Sequence, residues 1–131
     1  MAAIYIEVEI EATADAVWAV VGDWADGPVG MAHGHVLGSH AEGDVRVVTF
    51  ADGTVVREKL VARDDDTRRI VYSLIETEHD NAVMHIVPTG SGSCRFVWSR
   101  DVLPDEAAGH LRMAMAEAVP IIKHTLESGQ P

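Results

Sequence analysis

The stretch GDVRVVTFADGTVVREKL, residues Gly43–Leu60, contains two β-rich runs on either side of the tripeptide Ala51-Asp52-Gly53. An Asp-Gly pair between two such runs is typical of the tight turn of a β-hairpin. A three-residue loop sets the pairing of the strands, with Phe50 opposite Thr54, Val48 opposite Val56 and Arg46 opposite Glu58. The stretch therefore predicts an antiparallel hairpin together with its register.

The two faces of this hairpin differ, because alternate residues of a strand lie on the same face of a sheet. One face is mostly apolar and carries a single pair of opposite charges: Arg46, Val48, Phe50, Val56, Glu58 and Leu60. The other face mixes valines with the cations Arg57 and Lys59, as a solvated face does. Since an isolated buried charge is costly and a paired one is tolerable, we predict that the first face borders an apolar interior.

The composition indicates one acidic globular domain, residues 1–131, with enough apolar residues (47%) for a hydrophobic core. Ten Lys and Arg residues against 21 Asp and Glu residues give a net charge of −11. Binding to a phosphate backbone requires a basic patch, so this charge balance excludes nucleic acid as a partner.

Neither a membrane segment nor a signal peptide is predicted. No apolar run approaches the roughly 20 residues that span a bilayer, and the N-terminus enters an alternating strand pattern at once. The single cysteine, Cys94, excludes an internal disulfide and a Cys-rich zinc site. We expect a cytoplasmic protein without membrane insertion, either a monomer or a homodimer.

Hydrophobic periodicity predicts the other elements. Besides the hairpin, strands are expected at residues 4–10, 35–40, 69–77, 82–87 and 94–103, and a short helix capped by Thr13 at residues 15–21. Residues 22–34, with four glycines and a proline, form a loop or a broken second helix. From Pro104 to Gly129 the apolar period becomes 3.6, which predicts a long helix with one apolar face: Leu111, Met115, Ala118, Ile122 and Leu126.

This order of elements predicts an α+β fold. A curved antiparallel sheet of about seven strands wraps round the long C-terminal helix, with one or two short helices after the first strand.

Several short strings resemble motifs of the SRPBCC superfamily, which includes START domains, the major birch pollen allergen and bacterial polyketide cyclase-like proteins. They run in order along nearly the whole chain: IEATADAVW at 10–18, VGDW at 21–24, GDVR at 43–46, DG at 52–53, EKL at 58–60, DDD at 64–66, Tyr72 and VW at 97–98. The hairpin strings resemble the polyketide cyclase/dehydrase-like branch. Residues 12–14 depart from the family pattern, because they lack its usual proline.

The resemblance implies a helix-grip fold whose sheet and long helix enclose a cavity for a small hydrophobic or aromatic molecule. The plant abscisic acid receptors are similar across the same hairpin, and there the glutamate that matches Glu58 faces the cavity. The same orientation is implied for Glu58. The hairpin turn of this chain is much shorter than the gating loop of those receptors, so hormone-receptor behaviour is not implied.

The predicted inner face continues on the last two strands with Val83, His85, Val87, Phe96, Trp98, Arg100 and Val102. The opposite register of the last strand buries Arg95 and Asp101, at a greater cost. With the helix added, the candidate ligand-binding residues are Arg46, Val48, Phe50, Val56, Leu60, Val83, Trp98, Met115, Val119 and Ile122.

Three of the buried polar residues are candidate catalytic residues, each with a structural alternative. An unperturbed pKa of about 6.5 suits His85 to general acid–base catalysis, or it is merely hydrogen-bonded within the sheet. Glu58 with Arg46 orients a ligand or stabilises an enolate, or the two form a bracing ion pair. Arg100 binds a carboxylate or phenolate, or its stem lies on apolar surface with an exposed head.

No metal site and no cofactor are predicted. His33 and His35 resemble a metal-binding pair, but no third ligand lies close to them in sequence. Phosphate loops, dinucleotide fingerprints and serine elbows are missing as well.

Two functional hypotheses follow. The first is a cyclase or dehydratase, in which Arg46 or Arg100 polarises a carbonyl group and His85 or Glu58 moves a proton. The second is a non-catalytic carrier of a lipid, polyketide or aromatic metabolite, or a ligand-sensing module that binds a partner. The enzyme hypothesis predicts His85 with Glu58 or Arg100 in one water-poor pocket. The carrier hypothesis predicts an apolar lining whose polar residues lie at the mouth or bind each other.

Overall fold

One antiparallel sheet of seven strands forms the body of the computed structural model, which describes residues 1–128. The strand order is β1-β7-β6-β5-β4-β3-β2, so β1 and β2 lie at the two edges. The strands are β1 Ala2–Ile10, β2 Val36–Glu42, β3 Val45–Phe50, β4 Val55–Asp64, β5 Arg69–Leu74, β6 His79–Pro88 and β7 Cys94–Leu103.

Two short helices join the edge strands, and a long helix follows β7: α1 Ala14–Val21, α2 Gly27–Met31 and α3 Ala107–Ser128. The hydroxyl oxygen of Thr13 caps α1 by accepting a hydrogen bond from the backbone N–H of Ala16 at 3.1 Å. α1 packs against β6 and α2, α2 packs against β2 and α3, and α3 packs against β1 and β7. The helices thus span the curved sheet from one edge to the other.

This is the predicted helix-grip fold. The apolar face of α3 is buried as expected, with Met115, Ala118, Ile122 and Leu126 in the core. The same core contains Phe96 from the sheet. None of the described helices combines the length and hydrophobicity that crossing a membrane requires.

The hairpin has the predicted register. Arg46 pairs with Glu58 and Val48 with Val56 across β3 and β4, and the N–H of Phe50 donates to the carbonyl of Thr54 at 2.8 Å. Gly53 in the turn has a φ of 91°, a left-handed conformation that residues with a side chain adopt only with strain. The Asp-Gly signal was therefore a reliable guide to the turn.

Several element boundaries differ from the prediction, and β5, for example, ends at Leu74 instead of residue 77. β6 begins at His79 instead of residue 82, so its first three residues belong to the sheet and not to a turn. α3 begins at Ala107 instead of Pro104, because the N–H groups of Ala107 and Ala108 bond to carbonyls three residues back, in tight turns. The predicted helix end at Gly129 lies outside the described residues.

The predicted facing of β6 was wrong. Met84 lies directly opposite Trp98 and His85 opposite Val97, and residues opposite each other share a face. Because Trp98 is buried on the inner face, Met84 is inside, and Val83 and His85 lie on the outer face together with Val87. Within the predicted range 82–87 both rows of this strand are mostly apolar and His85 is the one polar residue, so alternation favoured the observed facing only weakly.

Candidate functional site

A cavity of about 380 Å³ lies between the inner face of the sheet and α3. Exposed lining residues mark its mouth: Asp52 and Thr54 in the hairpin turn, and Met113 and Glu117 on α3. The walls further in are mostly apolar, and come from α2, the sheet and α3: Met31, Val48, Phe50, Val56, Leu74, Met84, Trp98, Leu111, Met115, Ala118 and Ile122. The fold thus encloses an apolar space that opens between the hairpin turn and the long helix.

Most of the candidate residues line this cavity: Arg46, Val48, Phe50, Val56, Glu58, Trp98, Arg100, Met115 and Ile122. Four others lie elsewhere. Leu60 and Val119 are in or against the hydrophobic core without lining the cavity. Val83 and His85 are on the outer face of β6, so the general acid–base role suggested for His85 loses its geometric basis.

Arg46 and Glu58 form a buried ion pair inside the cavity. Nε of Arg46 lies 2.7 Å from Oε1 of Glu58, and both side chains are almost completely buried. The guanidinium group lies 4.0 Å from the ring centroid of Trp24 and 4.9 Å from that of Tyr72, and it donates to the Trp24 carbonyl at 3.2 Å. Such cation–π contacts hold the guanidinium plane in place.

Glu58 uses only part of its hydrogen-bonding capacity. Within residues 1–128 its Oε1 atom accepts the bond from Arg46, and Oε2 has no donor. An ionised carboxylate has room for about four hydrogen bonds. Because Glu58 lines the cavity, Oε2 is the oxygen that a ligand group would meet.

Arg100 forms the second buried ion pair, with Asp80. Nε of Arg100 donates to Oδ1 of Asp80 at 3.0 Å, and the second terminal nitrogen donates to Oδ2. Burial alone disfavours the charged guanidinium, but the hydrogen bond to Asp80 and the electrostatic effects of Tyr72, Asp80 and Glu58 together outweigh it, so the pKa of Arg100 lies above its ordinary value. This bidentate pair occupies both oxygens of Asp80. Arg100 therefore lines the cavity, but Asp80 already balances its positive charge.

Tyr72 and Trp98 contribute the other buried polar atoms of the lining. Burial, with the negative charge of Glu58, raises the pKa of Tyr72 far above its ordinary value, although both cavity arginines oppose this. The hydroxyl therefore stays protonated. Nε1 of Trp98 has no hydrogen-bond acceptor among the described residues. It lies close enough to Tyr72 to lower the pKa of the phenol slightly, but without the geometry of a hydrogen bond.

A second hollow of about 350 Å³ adjoins the start of β6, the end of β7 and the start of α3. It shares Leu74, His110 and Leu111 with the cavity. Asp80 lines the hollow and Arg100 lines the cavity, so their ion pair stands in the partition between the two spaces.

The histidines near the mouth are far from a metal-binding arrangement. In the described part of the chain, no group of three or more His, Cys, Asp or Glu side chains is placed to hold a metal ion. His33 is exposed, and His35 packs edge-on against Phe50, with 5.6 Å between ring centroids. His35 therefore shapes the cavity rim instead.

Sequence reasoning missed Asp80, Tyr72 and Met84. Asp80 lay outside the predicted strand 82–87, although a buried Arg100 requires a partner, and that requirement was a usable signal. Tyr72 pairs with the inward-facing Leu60, which the hairpin register alone did not reveal because β4 carries a bulge after Leu60. Met84 was missed with the facing of its strand.

Comparison with known proteins agrees with this architecture. A family model described as polyketide cyclase / dehydrase and lipid transport matches residues 1–124. Among curated protein sequences, none matches this chain significantly.

Several solved structures share the fold. XoxI from Bacillus cereus superposes with a TM-score of 0.84 at 18% identity, over 98% of this chain and 97% of that one. One chain of the di-domain ARO/CYC protein BexL gives 0.81 at 13% identity, over 97% of this chain and 47% of that one.

A third structure is more similar in sequence. Norcoclaurine synthase from Thalictrum flavum, in complex with dopamine and hydroxybenzaldehyde, gives a TM-score of 0.67 at 26% identity, over 99% of this chain and 89% of that one. The first two likenesses show the fold alone, whereas the family model spans almost the entire sequence. The chain therefore belongs to the polyketide cyclase / dehydrase and lipid transport family.

Proposed function

We propose that the cavity binds a small apolar or aromatic molecule that carries at least one polar group. The observation that carries this proposal is a space of about 380 Å³, open at the mouth, with apolar walls and a few buried polar groups, which is typical of a small-molecule site. Norcoclaurine synthase, whose structure was solved with two small aromatic compounds, supports a ligand of this class.

The polar groups favour binding over acid–base catalysis as the minimal function. The charges of Arg100 and Arg46 are each matched by a carboxylate, and His85 lies outside the cavity. This is close to the arrangement expected of a carrier, whose buried polar residues bind each other. The family description, which includes lipid transport, is consistent with it.

Native mass spectrometry of the purified protein, beside a denatured sample of the same batch, tests the proposal. We expect a bound apolar mass, or binding of an added aromatic ketone, that the variant Val56→Phe reduces at least tenfold by filling the cavity. Val55→Phe is the matched control, because Val55 adjoins Val56 on β4 and is 57% exposed. Equal binding by both variants would refute the cavity as the site.

A cyclase or dehydratase activity is a second candidate, supported by Glu58 alone. Its unpaired Oε2 faces an apolar space beside the Arg46 guanidinium, a combination that suits proton abstraction next to a polarised carbonyl. In aldol closure of a linear δ-diketone, the carboxylate takes a proton from carbon, the carbanion attacks the second carbonyl, and the resulting alkoxide takes this proton back. The carboxylate then removes a second proton from the same carbon and gives it to the departing hydroxyl group, so that water leaves and a cyclic enone remains.

Formation of that enone by wild type and by Glu58→Gln tests the activity. If Glu58 is the base, we expect Glu58→Gln to lower the rate at least a hundredfold while ligand affinity changes little. His85→Gln, outside the cavity, should react at the wild-type rate. A wild type no faster than buffer leaves only the binding function.

A further inference from the structure

Two indole N–H groups, those of Trp24 and Trp98, are buried without a hydrogen-bond acceptor among residues 1–128. Buried polar groups in native proteins nearly always have a partner, so each unpaired donor needs an explanation. Trp24 does not line the cavity; its ring packs on Arg46. Trp98 does line the cavity, and its side chain is more than nine-tenths buried. A ligand atom that enters the cavity can therefore accept a hydrogen bond from the Trp98 N–H.

Tyr72 supplies a second donor beside it. Its hydroxyl is buried, donates to no described residue and stays protonated. Both side chains line the cavity from the same face of the sheet, because Tyr72 lies opposite Ala82, which lies opposite Arg100, and Trp98 is two residues before Arg100 on β7. Two unused donors thus converge on one part of the cavity.

We propose that the Trp98 N–H and the Tyr72 O–H together bind one acceptor oxygen of the ligand, the carbonyl oxygen of a neutral aromatic ketone or related carbonyl compound. This inference rests on the proposed binding function and specifies its ligand class. Two donors on one carbonyl oxygen match its two lone pairs and orient the molecule within an otherwise apolar space.

The charges of the site favour a neutral ligand over an acid. Both cavity arginines are already paired with carboxylates, and Asp52 and Glu117 stand at the mouth. The chain as a whole carries a net charge of −11. A carboxylate would lose its hydration without gaining a free cation, whereas a carbonyl loses little and gains two donors.

The test uses two probes of similar shape, methyl β-naphthyl ketone and β-isopropylnaphthalene, measured by calorimetric titration. Trp98→Phe and Tyr72→Phe should each weaken ketone binding about five- to tenfold, the usual effect of one lost hydrogen bond. Binding of the hydrocarbon should change less than twofold, which corrects for altered packing. Tyr5→Phe is the matched control, because it deletes the hydroxyl of an exposed tyrosine on β1.

Heteronuclear NMR of the wild type gives a readout that needs no folded variant. We expect the indole proton of Trp98 to move downfield when the ketone binds and to stay nearly constant with the hydrocarbon. The indole of Trp18, which already donates to Asp65 at 2.9 Å, serves as the internal reference.

The outcomes separate this inference from the proposed function. If both probes bind but neither the variants nor the Trp98 signal distinguishes them, the donor pair is refuted and the cavity remains. β-Naphthoate binding more tightly than the ketone would also refute the neutral-carbonyl assignment. If no probe binds and no apolar mass co-purifies, both proposals fail.

Discussion

The two buried arginine–carboxylate pairs of the inner sheet face differ in how many carboxylate oxygens accept a hydrogen bond from the arginine. Arg100 and Asp80 form a bidentate pair that occupies both carboxylate oxygens and stands in the partition between two spaces. Arg46 and Glu58 share one hydrogen bond, and both line the cavity. The Arg46 guanidinium group also contacts two aromatic rings and donates to the Trp24 carbonyl.

This difference separates a structural pair from one that is available to a ligand. A fully satisfied buried pair has no bonding capacity left, and removing either partner strands the other charge. In a partly satisfied pair beside a cavity, one carboxylate oxygen can still accept a hydrogen bond from a ligand. The aromatic rings hold the Arg46 guanidinium group even when its carboxylate partner binds something else. Stability should therefore depend more on Asp80, and ligand chemistry more on Glu58.

The largest expected effect is the loss of the Arg100 partner. Asp80→Ala should lower the free energy of unfolding by about 3–5 kcal/mol, because it leaves an unpaired buried charge. Urea unfolding measures this, with Asp101→Ala, an exposed acid on β7, as the control. The double variant with Arg100→Met should recover at least half of the loss. If the double variant lost as much free energy of unfolding as Asp80→Ala, the explanation by an unpaired buried charge would be contradicted.

Loss of the Arg46 partner should cost less. We expect Glu58→Ala to lower the free energy of unfolding by about 2 kcal/mol, since Arg46 keeps its ring contacts and its bond to the Trp24 carbonyl. The same urea titrations compare the two variants directly. A larger loss for Glu58→Ala than for Asp80→Ala would reverse the comparison.

Alkaline pH should affect the region around Arg46 through Tyr72. The folded protein holds the phenol proton more tightly than the unfolded chain does, because the pKa of Tyr72 is raised from its ordinary value of 10.0. This contribution to stability is complete below about pH 10 and is lost as the pH rises further. Unfolding free energies above pH 10 should fall less steeply in Tyr72→Phe than in wild type. Parallel profiles would contradict the raised pKa.

An exposed pair should show the smallest effect. Arg57 and Glu76 approach to 2.9 Å, but their side chains are 50% and 67% exposed. Arg57→Ala should change the free energy of unfolding by about 0.5 kcal/mol or less, because solvent screens such pairs. Thermal unfolding at low and high salt checks this, and a loss near that of Glu58→Ala would show that burial is not the deciding factor.

Sequence reasoning was most successful where the local conformation of a turn and the burial of apolar residues across the sheet favour the same strand register. The turn at Gly53 and the period-2 pattern around it determine the pairing of Arg46 with Glu58, because a shift by one residue would bury Arg57 and Lys59. The same argument placed Trp98 and Arg100 inside. It did not extend to β6, where both faces of residues 82–87 carry apolar residues.

The α+β order of elements, the hairpin register and the inner face of β7 were determined by the sequence alone, through turn chemistry and periodicity, and the helix-grip fold was implied by the family resemblance. The tertiary structure decided the facing of β6, the pairing of Arg100 with Asp80 and the meeting of Tyr72 with Trp98. The physical reason is that these features depend on which residue of a neighbouring strand lies opposite, over sequence separations that periodicity does not encode. The cavity also depends on the tertiary structure, because periodicity predicts the buried face of each element but not the space that remains between the elements.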